Sequence, residues 1–403
     1  MTNLTTDSEK NSFSIILFIP CNFAGVTFTA IIIHEKNIKT GVLRQLYVLK
    51  NKNYISYFYA LSKALIPINK RTHMKDLSTK YMGLSLRNPI IAASSGLTGT
   101  LDGIMSMEKH GAGAVVIKSI FEEEILLEIA HQTKEAERDP MIYSDLSETL
   151  DYIDLHIRED NLYRFLQLIG EAKKAVSIPI IGSINCVSHE DWIHFTRKME
   201  EAGADALELN IFLNPADFSN KEFEKAYFRI IEKVLAQVNI PVAIKVSKYF
   251  TRMGLSLKAL SETGIAGMVM FNRFYAPDID IEQMTLTNAN MFSSRTEQHE
   301  TLRWMAIMSG KVSCDLAAST GIHNGEDAIK MLLAGANAVQ LASTLYKNGP
   351  MQIKKILTKI NDWMEDKGFD SPEDFRGKVA EAYGNDPSAF ERMQFMKHFS
   401  EIR

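Results

Sequence analysis

Downstream of residue 74 the apolar residues gather into short, mostly apolar runs separated by stretches of helical period. The runs cover 90–94, 114–117, 180–184, 206–209, 242–246, 267–271, 312–318 and 338–341. None keeps a strict apolar–polar alternation along its length, so each reads as a strand covered on both faces, as in a parallel sheet. A glycine helix stop precedes some of them: His110-Gly111-Ala112-Gly113, Ala202-Gly203-Ala204-Asp205, Thr263-Gly264-Ile265-Ala266 and Ala334-Gly335-Ala336-Asn337. Others open on Asn88-Pro89, Ile178-Pro179 or Ile240-Pro241, where a strand's first residue needs no ladder donor. Between the runs, 192–201 place Trp192, Phe195 and Met199 on one helical face, and 223–237 place Phe223, Ala226, Ile230, Ile231, Val234 and Leu235. A surface helix needs such a stripe to dock, so both read as core. Strand and helix repeated eight times predict a closed (β/α)8 TIM barrel over 74–350. A doubly wound open sheet is the rival, and the first strand lacks the G-x-G-x-x-G of dinucleotide binding. Beyond the last strand, Ile353, Ile356, Leu357, Ile360, Trp363 and Met364 share one face, and Ser371-Pro372-Glu373-Asp374 has the form of a capped helix start. Residues 351–403 therefore read as a C-terminal helical cap.

The stretch 311–348 carries the clearest chemical signal. Two neighbouring strands end in Ser319-Thr320-Gly321 and Ala342-Ser343-Thr344. The helix between them has Asn324 as N-cap, Ala328, Ile329, Leu332 and Leu333 on one face, and Gly335 at its stop. Backbone N–H groups at such turns and helix starts point at an anion, and barrels often hold phosphate after strands seven and eight. The same residues also suit an ordinary βαβ unit in which small side chains serve packing.

The chain has 403 residues, 46% hydrophobic and 23% charged, enough for a large core. A net charge of -4 gives no reason to expect nucleic acid or an anionic membrane as partner. Cys21, Cys186 and Cys314 form no C-x-x-C pair, so a disulfide framework and a cysteine-rich metal site are both unsupported, and a reducing cytoplasmic home follows. His131, His156, His189, His194 and His323 lack metal-ligand spacing, and no metal is expected.

Residues 1–73 are of another character. The run 12–33 has no charge and is just long enough to span a bilayer, with Pro20, Asn22 and Gly25 interrupting it. The leader mixes acids with Lys10, unlike a signal peptide, and a basic stretch follows over 34–75. A membrane anchor with positive residues inside is one reading. The favoured one is an enzyme beginning near Met74 behind an appendage or a misassigned start.

A barrel places its chemistry at the C-terminal strand ends. Those ends carry Ser94-Ser95-Gly96, Lys118-Ser119, Asn185, Asn210, Lys245 and Asn272, besides the two small polar turns. A lysine directly after such an apolar run is partly buried, and a buried ammonium is costly unless something anionic or electron-rich meets it. Lys118 and Lys245 with the two turns thus point to a phosphate-bearing ligand. Plainer roles exist for each. Lys118 can pair with Glu122, Glu123 or Glu124, Asn210 and Asn272 can satisfy loop backbone, and Cys186 and Cys314 can be small buried hydrophobes.

Several pieces occur in a telling order: Leu86-Arg87-Asn88-Pro89-Ile90 running into Ser94-Ser95-Gly96, Ile117-Lys118-Ser119, Glu208-Leu209-Asn210 and Ile244-Lys245-Val246. Thr320-Gly321-Ile322 with Gly325-Glu326-Asp327-Ala328 follows, then Leu332-Leu333-Ala334-Gly335-Ala336 and Gln340-Leu341-Ala342-Ser343-Thr344. Together, from Met74 to about Gly377, they resemble the dihydroorotate dehydrogenase family of FMN-binding barrels, including the related barrel domain of dihydropyrimidine dehydrogenase. The resemblance implies FMN in the barrel mouth, with Ser95, Gly96, Ser119 and Thr320 along it. It implies Lys118 and Lys245 at the ring and ribityl side, and Gly321, Ser343 and Thr344 at the phosphate. Asn210 would bond flavin or substrate, Asn272 would serve the substrate, and Lys118 and Asn210 would be the catalytic pair. The flavin carries the hydride chemistry; the protein positions and tunes it. The implied reaction is oxidation of dihydroorotate to orotate in pyrimidine biosynthesis. The implied partners are a small-molecule substrate and a second copy or an electron-transfer subunit, which would bring any iron–sulfur relay.

The chain departs from the family on the substrate side. A cysteine or serine base stands in the family's loop after strand four, in a pattern like N-x-S-C-P-N. Here that loop reads Asn210-Ile211-Phe212-Leu213-Asn214-Pro215, and Ser219 is farther along. The N-P-x-P-R-like loop is Asp139-Pro140-Met141-Ile142-Tyr143, the usual double glycine is Thr320-Gly321, and a glycine-rich loop is replaced by Ser293-Ser294-Arg295. Two rivals remain: a lyase or aldolase forming a Schiff base on Lys118 or Lys245, and a flavin-binding protein without catalysis.

Overall fold

The apolar runs pair side by side in chain order until the last meets the first. In the computed structural model these strands are β1 (Ile90–Ala92), β2 (Ala114–Val116), β3 (Ile180–Asn185), β4 (Ala206–Asn210), β5 (Val242–Val246), β6 (Gly267–Met270), β7 (Asp315–Ala318) and β8 (Ala338–Leu341). Every neighbouring pair is parallel, and β8 closes on β1 through Val339↔Ile90, Gln340↔Ile91 and Leu341↔Ala92. This is a (β/α)8 barrel. The structure describes residues 75–121, 146–185, 191–211, 213, 223–273 and 277–383, with short strands between 4 and 48; side chains of 121, 146–160, 191–194, 223, 288, 383 and those strands lie outside the description.

Helices α1 (Leu101–Lys109), α2 (Leu146–Ala175), α3 (Asp191–Glu201), α4 (Phe223–Leu235), α5 (Met253–Ser261), α6 (Gln298–Met308) and α7 (Gly325–Leu333) connect the strands in turn. Strand residues such as Ile90, Val115, Leu207, Ile244, Met268 and Val339 face these helices and form the large outer core. The expected α3 and α4 stripes hold where described, with Met199, Ile231 and Val234 fully buried. β7 starts at Asp315 rather than at 312, because the chain is still turning there and Ser313 N–H donates to Ser261 Oγ at 3.1 Å.

The inner face obeys the two-residue period of a strand. Ala114, Ala206, Ala243, Ala317 and Ala338 form a low interior layer of small residues. Their size is explained by what comes from below. An antiparallel hairpin, Thr79–Tyr81 with Leu84–Leu86, inserts Tyr81 and Met82 into the barrel floor. A Cβ on Gly267 would lie 2.9 Å from Met82 Cγ and 3.0 Å from Tyr81 Oη, so that strand position has no room for a side chain. Met82 adopts a left-handed φ of 56° and its N–H donates to Asp315 Oδ2 at 2.8 Å.

After β8 the chain forms α8 (Ser343–Asn348), α9 (Met351–Lys367) and α10 (Lys378–Tyr383). α9 buries Ile353, Ile356, Ile360 and Met364 and packs on α7, where a Cβ on Gly325 would collide with Lys359. Trp363 meets Phe375 edge-on at 4.9 Å. The start expected at residue 371 is a single 3-10 turn, Pro372–Asp374, whose Asp374 carboxylate accepts from Ser371 N–H at 2.7 Å.

The chain divides into two compact units, Met1–His73 and Met74–Arg403. Within the first, Ser12–Leu17 pairs antiparallel with Leu4–Asp7 and Ile31–Glu35, and the apolar run 12–33 is shared among short strands. Among the described residues no helix is long and apolar enough to cross a membrane.

The Tyr81 hydroxyl is buried without a hydrogen-bond partner. A buried polar group in that state costs about 1–3 kcal/mol. Tyr81→Phe is therefore expected to leave stability unchanged or raise it, whereas Tyr81→Ala empties the floor and costs about 3–5 kcal/mol. Urea denaturation midpoints of the two variants check both signs.

Candidate active site

The turn after β7 sets the geometry of the mouth. Thr320 and Gly321 take consecutive left-handed conformations, with φ of 72° and 77°. Thr320 is held there by its hydroxyl, which donates to Phe271 O at 3.0 Å. Gly321 has no alternative, since a Cβ would collide with the backbone nitrogen of Gln298. The loop before α6 folds over this turn: Ser293 N–H donates to Ser343 Oγ at 3.0 Å, and Ser293 Oγ accepts from Gly321 N–H at 3.4 Å. Lys347 fastens that loop from α8, donating to Ser293 O at 2.9 Å. Enclosed between them is a cavity of about 190 Å³. Five residues singled out in the sequence line it: Lys245, Asn272, Thr320, Gly321 and Ser343. Ser94, Arg273, Ser293, Ser319 and Gln340 add further polar groups to its wall.

Ser119 and Asn210 fall in a hydrogen-bonded knot beside this cavity. Asn210 Nδ2 donates to Ser119 Oγ at 2.8 Å and to Ser183 Oγ at 2.9 Å, and Ser119 Oγ lies 3.0 Å from Ser94 Oγ. The amide's donors are spent, yet Asn210 Oδ1 is buried with no partner. Ser95 Oγ and Asn185 Oδ1 are in the same condition. Unmatched buried polar atoms at three strand ends call for a ligand that supplies the missing bonds.

The other singled-out residues take different places. Gly96 lies under Tyr346, whose hydroxyl would sit 2.7 Å from a Cβ there. Lys118 is half-buried, with its aliphatic stem against Gly99; Glu122, Glu123 and Glu124 lie outside the described residues. Thr344 is fully inside, and its hydroxyl donates to His323 O at 3.1 Å and accepts from Asn348 at 3.1 Å, so it ties α8 to the turn before α7. Cys314 is half-buried, and burial followed by the Asp315 charge pushes its thiol up to about 12, the behaviour of a packing residue. Cys186 and Ser219 lie outside the described residues. Among the described residues no cluster of His, Cys, Asp and Glu could hold a metal ion.

Lys245 does not stand alone. Its Nζ donates to Gln340 Oε1 at 3.0 Å and meets Glu208 Oε1 at 3.4 Å, while Gln340 Nε2 donates to Glu208 Oε2. Glu208 and Gln340 occur in the telling sequence pieces, but those pieces assign them no site role. The signal for them is strand parity: Glu208 is two residues past Ala206, Lys245 two past Ala243 and Gln340 two past Ala338, so all three point inward.

Behind the β7 turn, Asp327 organises the start of α7. It accepts from His323 N–H at 3.1 Å and from Asn324 N–H at 3.3 Å, while the Asn324 cap accepts from Asp327 N–H at 2.9 Å. Burial pushes the Asp327 carboxyl up, but the bonds from Arg295, Gln298 and His323 outweigh it and hold it below the usual range. A second cavity of about 480 Å³ shares Asn272, Arg273 and Thr320 with the first. Its walls carry two ion pairs, Lys248–Glu300 at 2.6 Å and Arg273–Glu297 at 3.0 Å. Arg273 also donates to Met291 O and Asn290 O, which pins the loop to the end of β6. These loop partners leave no local pattern in the sequence.

Fold and site together define a (β/α)8-barrel enzyme whose chemistry lies at the C-terminal strand ends. Comparison with known proteins names the group. The chain belongs to the dihydroorotate dehydrogenase family, whose model matches residues 76–364. It is 28% identical over 310 residues to the dihydroorotate dehydrogenase B (NAD(+)) catalytic subunit of Thermoplasma acidophilum, covering 75% of this chain and 99% of the relative. It is 25% identical to the catalytic subunit of the same name in Methanocaldococcus jannaschii, covering 73% and 95%. A protein of Aeropyrum pernix called putative dihydroorotate dehydrogenase A (fumarate) is also 25% identical, covering 75% and 97%. The chain is an oxidoreductase of this family.

Two measurements probe the turn. Gly321→Ala is expected to cost about 1–3 kcal/mol, because the added methyl meets backbone in a left-handed position; an unchanged urea midpoint would contradict that contact. His323 titrates below the ordinary imidazole value, first because of burial and second because of Lys347. The fold favours the neutral ring, so below about pH 6.5 the unfolded chain takes up a proton that the folded chain refuses. Stability falls as pH drops through that window until the folded-state value is passed, and His323→Asn flattens this part of the Tm-against-pH curve.

Proposed function

We propose that this chain binds FMN at the barrel mouth and oxidises a CH–CH bond in dihydroorotate or a closely related dihydropyrimidine. The observation that carries the cofactor reading is the 190 Å³ cavity lined by the obligatory Gly321, Ser343 and Lys245. The unmatched atoms of Ser95, Asn185 and Asn210 border the same mouth and fit a flavin's ring of donors and acceptors. FMN, when bound, supplies the hydride acceptor. In this reading Gly321, Ser343 and Thr320 hold the phosphate, while Ser95, Gly96 and Ser119 lie along the flavin. Thr344 supports that end from behind by fixing α8. Asn210 hydrogen-bonds through its unmatched oxygen, Asn272 faces the substrate, and Lys118 and Lys245 supply positive charge on either side.

The loop after β4 carries no family-type base at its first positions; Ile211 is buried and Leu213 is apolar. A proton on carbon must still be accepted by a basic group as hydride leaves. The proposal therefore commits to a substrate class and a bond type. The Schiff-base alternative loses ground at Lys245, because an amine held by a buried carboxylate is not free to attack a carbonyl.

Relatives bearing the name catalytic subunit support an electron-transfer partner subunit for this chain too. The matches cover nearly all of those relatives and only three quarters of this chain, which supports placing Met1–His73 outside the catalytic barrel. A cytoplasmic setting belongs to the same proposal.

The purified protein is expected to be yellow, with a flavin spectrum that bleaches under anaerobic dihydroorotate. A colourless protein that takes up no FMN overturns the reading. Retained yellow colour without bleaching by any dihydropyrimidine points to flavin binding without catalysis.

A further inference from the structure

Glu208 is only 1% exposed in the middle of a hydrophobic barrel. An ion pair in such a place is generally worth no more than apolar residues of similar volume, so stability alone does not account for it. Its surroundings show what else it does. Gln340 on β8 gives its Nε2 to Glu208, which turns the amide so that its Oε1 faces Lys245 Nζ. The ammonium thus has two of its three N–H groups directed by this pair. Lys245 and Gln340 line the 190 Å³ cavity, whereas Glu208 is not among its lining residues; it lies one layer deeper, in register with Ala243, where its charge acts on the buried Tyr81 hydroxyl.

We propose that Glu208 is a positioning residue that aims Lys245 at the cavity and offsets its charge, thereby setting the reduction potential of the flavin bound there; this rests on the FMN reading above. A reduced flavin carries more negative charge than an oxidised one, so an uncompensated cation nearby favours reduction. With Glu208 in place the lysine and carboxylate sum to zero in the low-dielectric interior. Removing the carboxylate leaves a net positive charge at the same point.

The test is the midpoint potential of the FMN-loaded protein, measured by dye equilibration, for wild type, Glu208→Gln and Glu208→Asp. Glu208→Gln keeps the shape and loses the charge; it is expected to shift the equilibrium toward reduced flavin tenfold or more, about 30 mV to the positive for a two-electron couple. Glu208→Asp keeps the charge but draws it back from Nζ, and its positive shift is expected to be smaller. A purely structural role predicts no such order. An FMN-loaded Glu208→Gln protein at or below the wild-type potential overturns the inference. Where that variant does not load flavin, a Glu208→Asp protein at or below the wild-type potential overturns it instead. A wild-type chain that takes up no FMN removes the flavin reading itself, whereas loaded variants that do not move remove only the role given to Glu208.

Discussion

The barrel interior is small and apolar below and polar above, and this vertical division governs the site. It arises from one covalent fact: successive side chains on a strand alternate between faces, so each strand sends only every second residue inward. On β4 and β5 the inward series run Ala206, Glu208, Asn210 and Ala243, Lys245; on β3 and β8 they run Ile181, Ser183, Asn185 and Ala338, Gln340. Tyr81 and Met82 fill the floor, which the alanines leave room for. The polar groups above them bond one another or are left without a protein partner. Asn210, Ser119 and Ser183 show the first outcome, and Asn210 Oδ1 shows the second.

The mouth has a different origin. The β7 turn is shaped by steric exclusion at Gly321 and by the Thr320 hydroxyl on Phe271 O. It is then enclosed by a loop that must be fastened from elsewhere, through Ser293 to Ser343 and Lys347 to Ser293. Lys347, Thr344 and Tyr346 all come from α8, so this short helix acts as a clasp between the ends of β7, β8 and β1.

These two origins explain what could be read in the chain before its structure was in hand. Predominantly apolar runs with glycine and proline punctuation mark strands wherever both faces are covered, and the eight-fold alternation leads directly to closure. Strand-end residues such as Lys245 and Ser343 stand out because polarity follows a run. Glu208 and Gln340 do not, because each is embedded within its run and only parity reveals it as inward-facing. The clasp was less legible still. Nothing near Thr344 in the sequence indicates that its hydroxyl is spent on His323 O, and nothing near Arg273 indicates Glu297. Such partners are set by how loops cross, which local patterns do not encode. The start of β7 was misplaced for a related reason: Val312 and Cys314 pack on the outer core from a turn, and apolar character alone does not separate that from a strand.

The same distinction bears on where this chain departs from its family. On the reading proposed above, the cofactor side is built from strand ends and from turns locked by backbone contacts, where one change disturbs several neighbours at once. Gly321 against Gln298 and Glu208 against both Lys245 and Gln340 are of this kind. The substrate side is built from loops, and the loop after β4 is where the family's base pattern gives way to Ile211 and Leu213. Loops carry specificity on a rigid scaffold because their side chains can be exchanged at little cost to the core. On that reading, a barrel that keeps its anion cradle and its buried lysine while altering that loop would retain the means to hold and tune a flavin and change what the flavin meets. The two ion pairs lining the larger cavity, Lys248–Glu300 and Arg273–Glu297, follow the same logic. They put charge of both signs beside the mouth without disturbing a single interior layer.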